Sequence, residues 1–271
     1  MTTPAAPAVP LAAPWSRYVA IGDSFTEGLW DAPDADGRCR GWADVLAAHL
    51  STRRTAAGQG ALGYANLAVR GRLLGPILRE QLPAAIQLGP DLVSLVGGGN
   101  DILRPTIDVD RMARDLEAAV VRLRAAGADV LLCTGMDSAD SPIIRATRGR
   151  VGVFNTHIWS IARRHGAHVL DLWGMRSLRD WRLWAPDRIH LTTDGHARVA
   201  QAALVALGLA PDDADWDDPL VPLPPVPRIH QLRDDARWVR EDVYPWATRR
   251  LRGQSTGATR EAKRPELSPV E

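Results

Sequence analysis

Five short, largely apolar runs, residues 18–21, 64–69, 91–96, 128–133 and 168–172, alternate along the chain with segments whose apolar residues recur at helical spacing. Runs of this length with no strict polar alternation read as strands buried on both faces, which demands helices packed on either side of the sheet. The intervening segments supply those helices. Residues 42–50 place Trp42, Val45, Leu46 and Leu50 on one face, and residues 109–126 do so with Met112, Leu116, Val120 and Leu123. Residues 148–164 carry the stripe Val151, Phe154, Ile158 and Ile161, and residues 194–207 return Val199, Ala203 and Leu207 to the sheet. Residues 72–88 are helical in pattern but broken at Pro76 and Pro83. Strands joined by such crossovers run parallel, so the expected fold class is α/β: a flavodoxin-like three-layer α/β/α arrangement on a five-stranded parallel sheet.

In a parallel sheet every strand delivers its carboxyl end to the same rim, so residues far apart in sequence converge there. Gly22-Asp23-Ser24 leaves the first run, Arg70-Gly71 the second, Gly97-Gly98-Gly99-Asn100-Asp101 the third, and Asp187 and His190 lie beyond the fifth. A serine hydroxyl is a weak nucleophile until a histidine takes its proton, and the imidazole needs a carboxylate to fix its tautomer. A tetrahedral oxyanion needs donors already aimed at it, and the glycine run presents the Asn100 amide at a strand end. Together these residue types point to ester cleavage. Gly-Asp-Ser read alone is also a helix-capping turn. The competing function is a non-catalytic binding module that holds an anion at this turn while its C-terminal extension recruits a partner, and a carboxylate three residues before His190 has no use in such a module.

The blocks Gly22-Asp23-Ser24, Gly71, Gly98-Gly99-Asn100-Asp101 and Asp187-Arg188-Ile189-His190 resemble those of the SGNH hydrolase superfamily, the GDSL-type esterases and lipases. The similarity runs over residues 17–208 with the blocks in order. It implies an SGNH-type fold and a carboxylic ester hydrolase acting on a small-molecule ester, with no metal or organic cofactor. Ser24 would be the nucleophile, His190 the base that later protonates the leaving alcohol, and Asp187 the residue that orients it. The oxyanion hole would combine the backbone N–H groups of Ser24 and Gly71 with the side-chain amide of Asn100. Gly71 is preferred to nearby Gly63 because it directly follows the second run, and Asp101 is assigned to holding the loop. Phe25 stands where the family's name places leucine, a change in packing behind the nucleophile.

Other chemistries find little support. A formal net charge of +1 over 271 residues gives no broad positive field for nucleic acid or an anionic membrane. Cys39 and Cys133 are too few for a disulfide framework. Gly58-Gln-Gly60-Ala-Leu-Gly63 spells G-x-G-x-x-G but leads into a strand rather than out of one, so no dinucleotide site is expected. The G-x-S-x-G elbow of α/β-hydrolases is absent around Ser24. His165 and His168 have no acid or thiol at ligand spacing, and His49 reads as a surface residue. No run is long enough to span a membrane. Residues 1–14 hold four prolines and neither Lys nor Arg, unlike a signal peptide, so a cytoplasmic location is expected.

The expected organisation is a disordered N-terminal segment over residues 1–14, the hydrolase domain over 15–210, a Pro-rich and helical extension over 211–252, and a disordered tail over 253–271. In the extension, five aspartates between 212 and 218 precede a proline-rich stretch. Ile229, Leu232, Ala236, Val239 and Val243 then recur at the spacing of one helix face, which would pack across the domain or a partner subunit. Trp246 with Arg249, Arg250 and Arg252 offers an alternative, a basic-aromatic patch for an anionic surface. Trp173, Trp181 and Trp184 would either wall an apolar pocket or pack under the last helix.

Overall fold

The computed structural model describes residues 13–33, 38–139, 141, 144–224, 233, 235–243, 257 and 259–270. The chain alternates β1 (Arg17–Ile21), α1 (Ser24–Glu27), α2 (Trp42–Ala56), β2 (Gly63–Asn66), α3 (Leu74–Pro76), a π-helical turn (Ile77–Gln81), α4 (Leu82–Gln87), β3 (Leu92–Leu95) and α5 (Gly99–Ile102). It continues with α6 (Val109–Ala125), β4 (Asp129–Cys133), α7 (Arg148–His165), β5 (His168–Leu170), α8 (Thr193–Ala206) and β6 (Arg264–Pro269). The first five strands are all parallel, in the order β5-β4-β3-β1-β2. This is the flavodoxin-like order, with β1 flanked by β2 and β3.

Tyr18 through Ile21 are fully buried, because alternate side chains of β1 enter different cores. Tyr18 and Ala20 pack with Trp42, Leu46 and Leu50 of α2 and Val199 and Ala203 of α8. Val19 and Ile21 pack with Leu116 and Val120 of α6 and Phe154 and Ile158 of α7. Burying a large apolar side chain of this kind stabilises the fold by about 1.5–3 kcal/mol. Two such faces pin the register of β1 and therefore the position of whatever leaves its end.

The sheet has six strands rather than five. β6 adds antiparallel to β2, so residues 264–269 are ordered strand where the composition suggested a disordered tail. The open edge of β2 offers unpaired backbone groups to a further strand. Pro265 and Pro269 are tolerated there because an edge strand needs donors on one side only. Side chains fix the added strand: the Arg264 guanidinium donates to Tyr64 O and lies 5.3 Å from the Tyr64 ring, and Lys263 reaches Glu27 O, Cys39 O and Asp44 Oδ2, each at 2.6 Å.

The acidic segment after α8 is also docked. Asp212 meets Arg53 at 2.5 Å and His49 at 2.6 Å, and Arg176 pairs with Asp217 and Asp218. Residues 1–12 of the expected N-terminal segment, and Ile229, Leu232, Trp246, Arg249, Arg250 and Arg252 of the extension, lie outside the described residues. Among the described residues no helix is long and apolar enough to cross a membrane.

Candidate active site

Ser24 is the first residue of α1, delivered by the carboxyl end of β1. Gly22 makes the sharp exit possible: a Cβ there would meet Thr26 Oγ1 at 2.6 Å and Val96 O at 2.7 Å. The buried Gln81, in the π-helical turn, pairs with both backbone groups of Gly22, accepting at 2.8 Å and donating at 3.0 Å. Asp23 caps α1 by accepting Phe25 N–H at 3.1 Å. Phe25 packs 5.9 Å from the Trp42 ring and 6.1 Å from His196, behind the serine turn.

The loop beyond β5 meets this turn. His190 Nε2 lies 2.8 Å from Ser24 Oγ, and His190 Nδ1 lies 2.7 Å from Asp187 Oδ2. Asp187 Oδ1 also accepts the backbone N–H groups of Ile189 and His190, each at 3.0 Å. Burial pushes the Asp187 carboxyl up, but the hydrogen bond and charge of His190 and the two N–H groups outweigh it and hold the carboxyl below its ordinary range. The structure therefore joins the three residues in one hydrogen-bonded line.

Asn100 and Gly71 stand across from them. Asn100 Nδ2 donates to Asp23 Oδ2 and to Arg72 O, each at 3.1 Å. Gly71 adopts a left-handed φ of 73° and, like Asn100 and Ser24, lines the same cavity. Gly63 starts β2, paired with Arg17 at the opposite end of the strands, so it is removed from this rim. Asp101 accepts Leu74 N–H at 2.9 Å and anchors the loop. Gly98 has φ 99° with the Phe154 ring 2.9 Å from where a Cβ would sit, so no other residue fits that turn.

A cavity of about 420 Å³ opens beside Ser24. Its walls are mainly apolar and include Leu103, Met136, Ile144, Phe154, Leu178 and Trp184. Of the tryptophans in residues 173–186, Trp184 faces the cavity, whereas Trp173 lies under the Arg148 guanidinium and Trp181 beside Arg188. Trp30, 49% exposed and with φ 74°, stands at the cavity's solvent side.

Three participants escape the sequence reading. Trp238 in the extension is 6% exposed, lines the cavity and donates its indole N–H to Asp187 O at 2.9 Å. Ala236 and Val239, expected on the packed face, are exposed. Here the indole's need for an acceptor and the pairing of Asp235 with Arg188 set the rotation of the turn, rather than apolar spacing. Glu27 is buried and binds Arg70 through the backbone N–H at 2.6 Å, through Nε at 2.8 Å and through Nη2, fixing the turn that carries Gly71. Asp23 is the third: burial pushes its carboxyl up to about 6, with the Phe25 N–H, His190 and Asn100 opposing. A buried Cys133 also lines the cavity, its thiol pushed well up by burial.

Residues 20–198 match the model of the GDSL-like lipase/acylhydrolase family. No curated protein sequence matches the chain. Among solved structures the chain is similar to LAE5, described as an alpha/beta hydrolase enzyme from the metagenome of Lake Arreo, with a TM-score of 0.60 and 26% identity over 71% of this chain and 95% of that one. It is similar to Axe2, an acetylxylan esterase from Geobacillus stearothermophilus, with a TM-score of 0.59 and 19% identity over 71% and 94% of the two chains. The psychrotrophic esterase EstA from Pseudoalteromonas sp. gives a TM-score of 0.54 and 19% identity over 71% and 97%. The last two likenesses are of fold.

Proposed function

This chain belongs to the GDSL-like lipase/acylhydrolase family and is a carboxylic ester hydrolase, and from that premise we propose that it cleaves esters of small acyl groups, including acyl groups carried on sugars, through an acyl-enzyme on Ser24. The observation that carries this reading is the unbroken line from Asp187 through His190 to Ser24 Oγ, at 2.7 and 2.8 Å. His190 Nδ1 donates to Asp187, which leaves Nε2 as the base facing the hydroxyl.

Ser24 Oγ attacks the ester carbonyl as its proton passes to His190 Nε2. The carbonyl oxygen gains the charge and is met by the N–H groups of Ser24 and Gly71 and the Asn100 amide. A charged oxyanion outcompetes the neutral Arg72 carbonyl for an Asn100 hydrogen. Collapse breaks the bond to the alcohol oxygen, which takes the proton from His190. Water then repeats the sequence on the acyl-enzyme and releases the acid.

The apolar cavity beside Ser24 suits the acyl half, and its open side by Trp30 suits the alcohol. Axe2, an acetylxylan esterase, is the precedent for a small acyl group on a carbohydrate. EstA is described as inhibited by monoethylphosphonate, which recommends a phosphonate-type probe. A fluorophosphonate should label Ser24, and Ser24→Ala should lose both label and turnover of p-nitrophenyl butyrate; wild-type turnover in that variant would overturn the assignment. A binding module without catalysis would need no imidazole within hydrogen-bond reach of both the serine and the carboxylate.

A further inference from the structure

The residue between the carboxylate and the imidazole is held in an unusual way. Arg188 is a non-glycine residue with φ 54°, a left-handed conformation that is unfavourable for a residue with a side chain and persists only where its surroundings enforce it. Within the loop, Arg188 N–H donates to Ala185 O at 2.9 Å and Ala185 N–H to His190 O at 2.8 Å. Within the residues that match the family, the Arg188 guanidinium also lies 5.9 Å from the Trp181 ring, and three further restraints come from a part of the chain about 50 residues on, outside that match. Asp235 Oδ1 takes Arg188 Nη1 at 2.6 Å, the Arg188 guanidinium lies 4.7 Å from the Trp238 ring, and Trp238 Nε1 donates to Asp187 O at 2.9 Å. The residue immediately before Arg188 and the Arg188 side chain are thus both gripped by one helical turn, residues 235–238.

We propose that this turn of the C-terminal extension is a clamp that keeps the catalytic loop of residues 187–190 in its productive shape, with Trp238 and Asp235 as positioning residues of the hydrolase. The proposal rests on the assignment of Asp187 and His190 made above. The clamp acts on the peptide that carries the Asp187 side chain: fixing the Asp187 carbonyl fixes where its carboxylate can reach His190 Nδ1. It also walls the site, since Trp238 and Glu241 line the cavity beside Ile189 and His190. Without the turn, the loop keeps its own internal bonds and the Trp181 ring beside Arg188 but loses the ion pair with Asp235, the Trp238 ring and the indole donor to the Asp187 carbonyl.

Two substitutions in the full chain test this. Trp238→Phe keeps an aromatic wall and removes the indole donor; Asp235→Asn, at a half-exposed site, removes the charge that holds Arg188 and spares the core. Loss of one hydrogen bond predicts that Trp238→Phe lowers kcat on p-nitrophenyl acetate about 3- to 10-fold with KM within about twofold of wild type. Asp235→Asn should do the same to a smaller extent. The second readout does not need turnover. In a Ser24→Ala background, the low-field proton resonance of the hydrogen bond between His190 Nδ1 and Asp187 should exchange faster when Trp238→Phe is added. If wild-type protein hydrolyses no ester, the esterase reading fails while the resonance still tests the clamp. Wild-type kcat in Trp238→Phe and Asp235→Asn would overturn the clamp. So would an unchanged resonance, even with a lowered Tm or kcat, because Trp238 would then only stabilise the fold.

Discussion

Asn100 Nδ2 donates to Asp23 Oδ2 at 3.1 Å, so the residue just before Ser24 holds the amide proposed to meet the oxyanion. Asp23 therefore has two tasks, capping α1 through Oδ1 and orienting Asn100 through Oδ2. Asparagine at position 23 keeps the cap but turns an amide nitrogen toward the Asn100 amide nitrogen. Losing a hydrogen bond to a charged group costs about 1.5–3 kcal/mol, so Asp23→Asn should lower kcat about 10- to 100-fold with KM little changed. Asn100→Ala, which removes the donor itself, should cost about 10²–10³ in kcat. Steady-state kinetics on one p-nitrophenyl ester checks both, and equal kcat values for Asp23→Asn and wild type would separate Asp23 from the amide.

Two buried titratable groups near the serine turn, Asp23 and His196, work against each other in one pH window. Burial pushes Asp23 up from 3.8 to about 6, so between those values the folded state holds a proton the unfolded state has released, and stability falls as pH rises. Burial pushes His196 down from 6.5 to about 4, against the opposing pull of Asp31; its Nδ1 accepts Trp42 N–H at 3.2 Å. The folded state is then short of a proton, and stability falls as pH drops from 6.5 toward 4. The slopes oppose, each approaching about 1.4 kcal/mol per pH unit at full effect. Relative to wild type, His196→Gln should gain stability as pH falls from 6 to 4, and Asp23→Asn should lose it. Urea midpoints at pH 4, 5, 6 and 7 measure both, and parallel curves for the three proteins would contradict the assignment.

What was legible in the sequence follows from topology. A parallel sheet sends every strand end to one rim, so Ser24, Asn100, Asp187 and His190 could be placed together from strand count and residue chemistry alone. The strands also read easily because both their faces are apolar. The C-terminal contributions lack any such signal. Lys263 and Arg264 bind backbone carbonyls, which have no sequence identity, and β6 joins an edge whose polar partner side needs no apolar alternation. Trp238 is packed by an indole hydrogen bond, whereas the 3-4 spacing through Ala236 and Val239 pointed to the face that is exposed. Gly71 could be chosen over Gly63 only by strand direction, which the register of β1 with β2 makes plain.

The turn that presents Gly71 depends on Glu27, at the end of the same short helix that begins with Ser24. The Glu27 carboxylate receives three donors of Arg70, including the backbone N–H at 2.6 Å. Glu27→Gln keeps the shape but offers one acceptor oxygen in place of two and removes the charge. A buried charge partner lost in this way leaves Arg70 uncompensated, at a cost of about 3 kcal/mol. The variant should show a lower Tm and a kcat reduced several-fold through a displaced Gly71 N–H. Glu27→Gln with wild-type Tm and kcat would show that the Gly71 turn holds itself.

Lys263 is the chain's sole lysine, and its position explains how the C-terminal strand is attached. Its ammonium donates to the Glu27 carbonyl at the end of α1, to the Cys39 carbonyl and to the Asp44 carboxylate in the first turn of α2. Burial pushes the Asp44 carboxyl up, and Lys263 opposes that rise. One cation thus ties β6, the serine-bearing helix and α2 together with little exposure to screening water. Lys263→Met preserves the stem's packing but strands two carbonyls and a carboxylate, and should cost about 1–3 kcal/mol. For a domain of this size that is a Tm lower by about 2–10 °C. Adding Asp44→Asn to Lys263→Met relieves the uncompensated charge while keeping an acceptor for Gly41 N–H, so the double variant should melt above the single one. Thermal unfolding followed by circular dichroism distinguishes the cases, and a double variant no more stable than Lys263→Met would mean that the carbonyls, rather than the ion pair with Asp44, are what Lys263 holds.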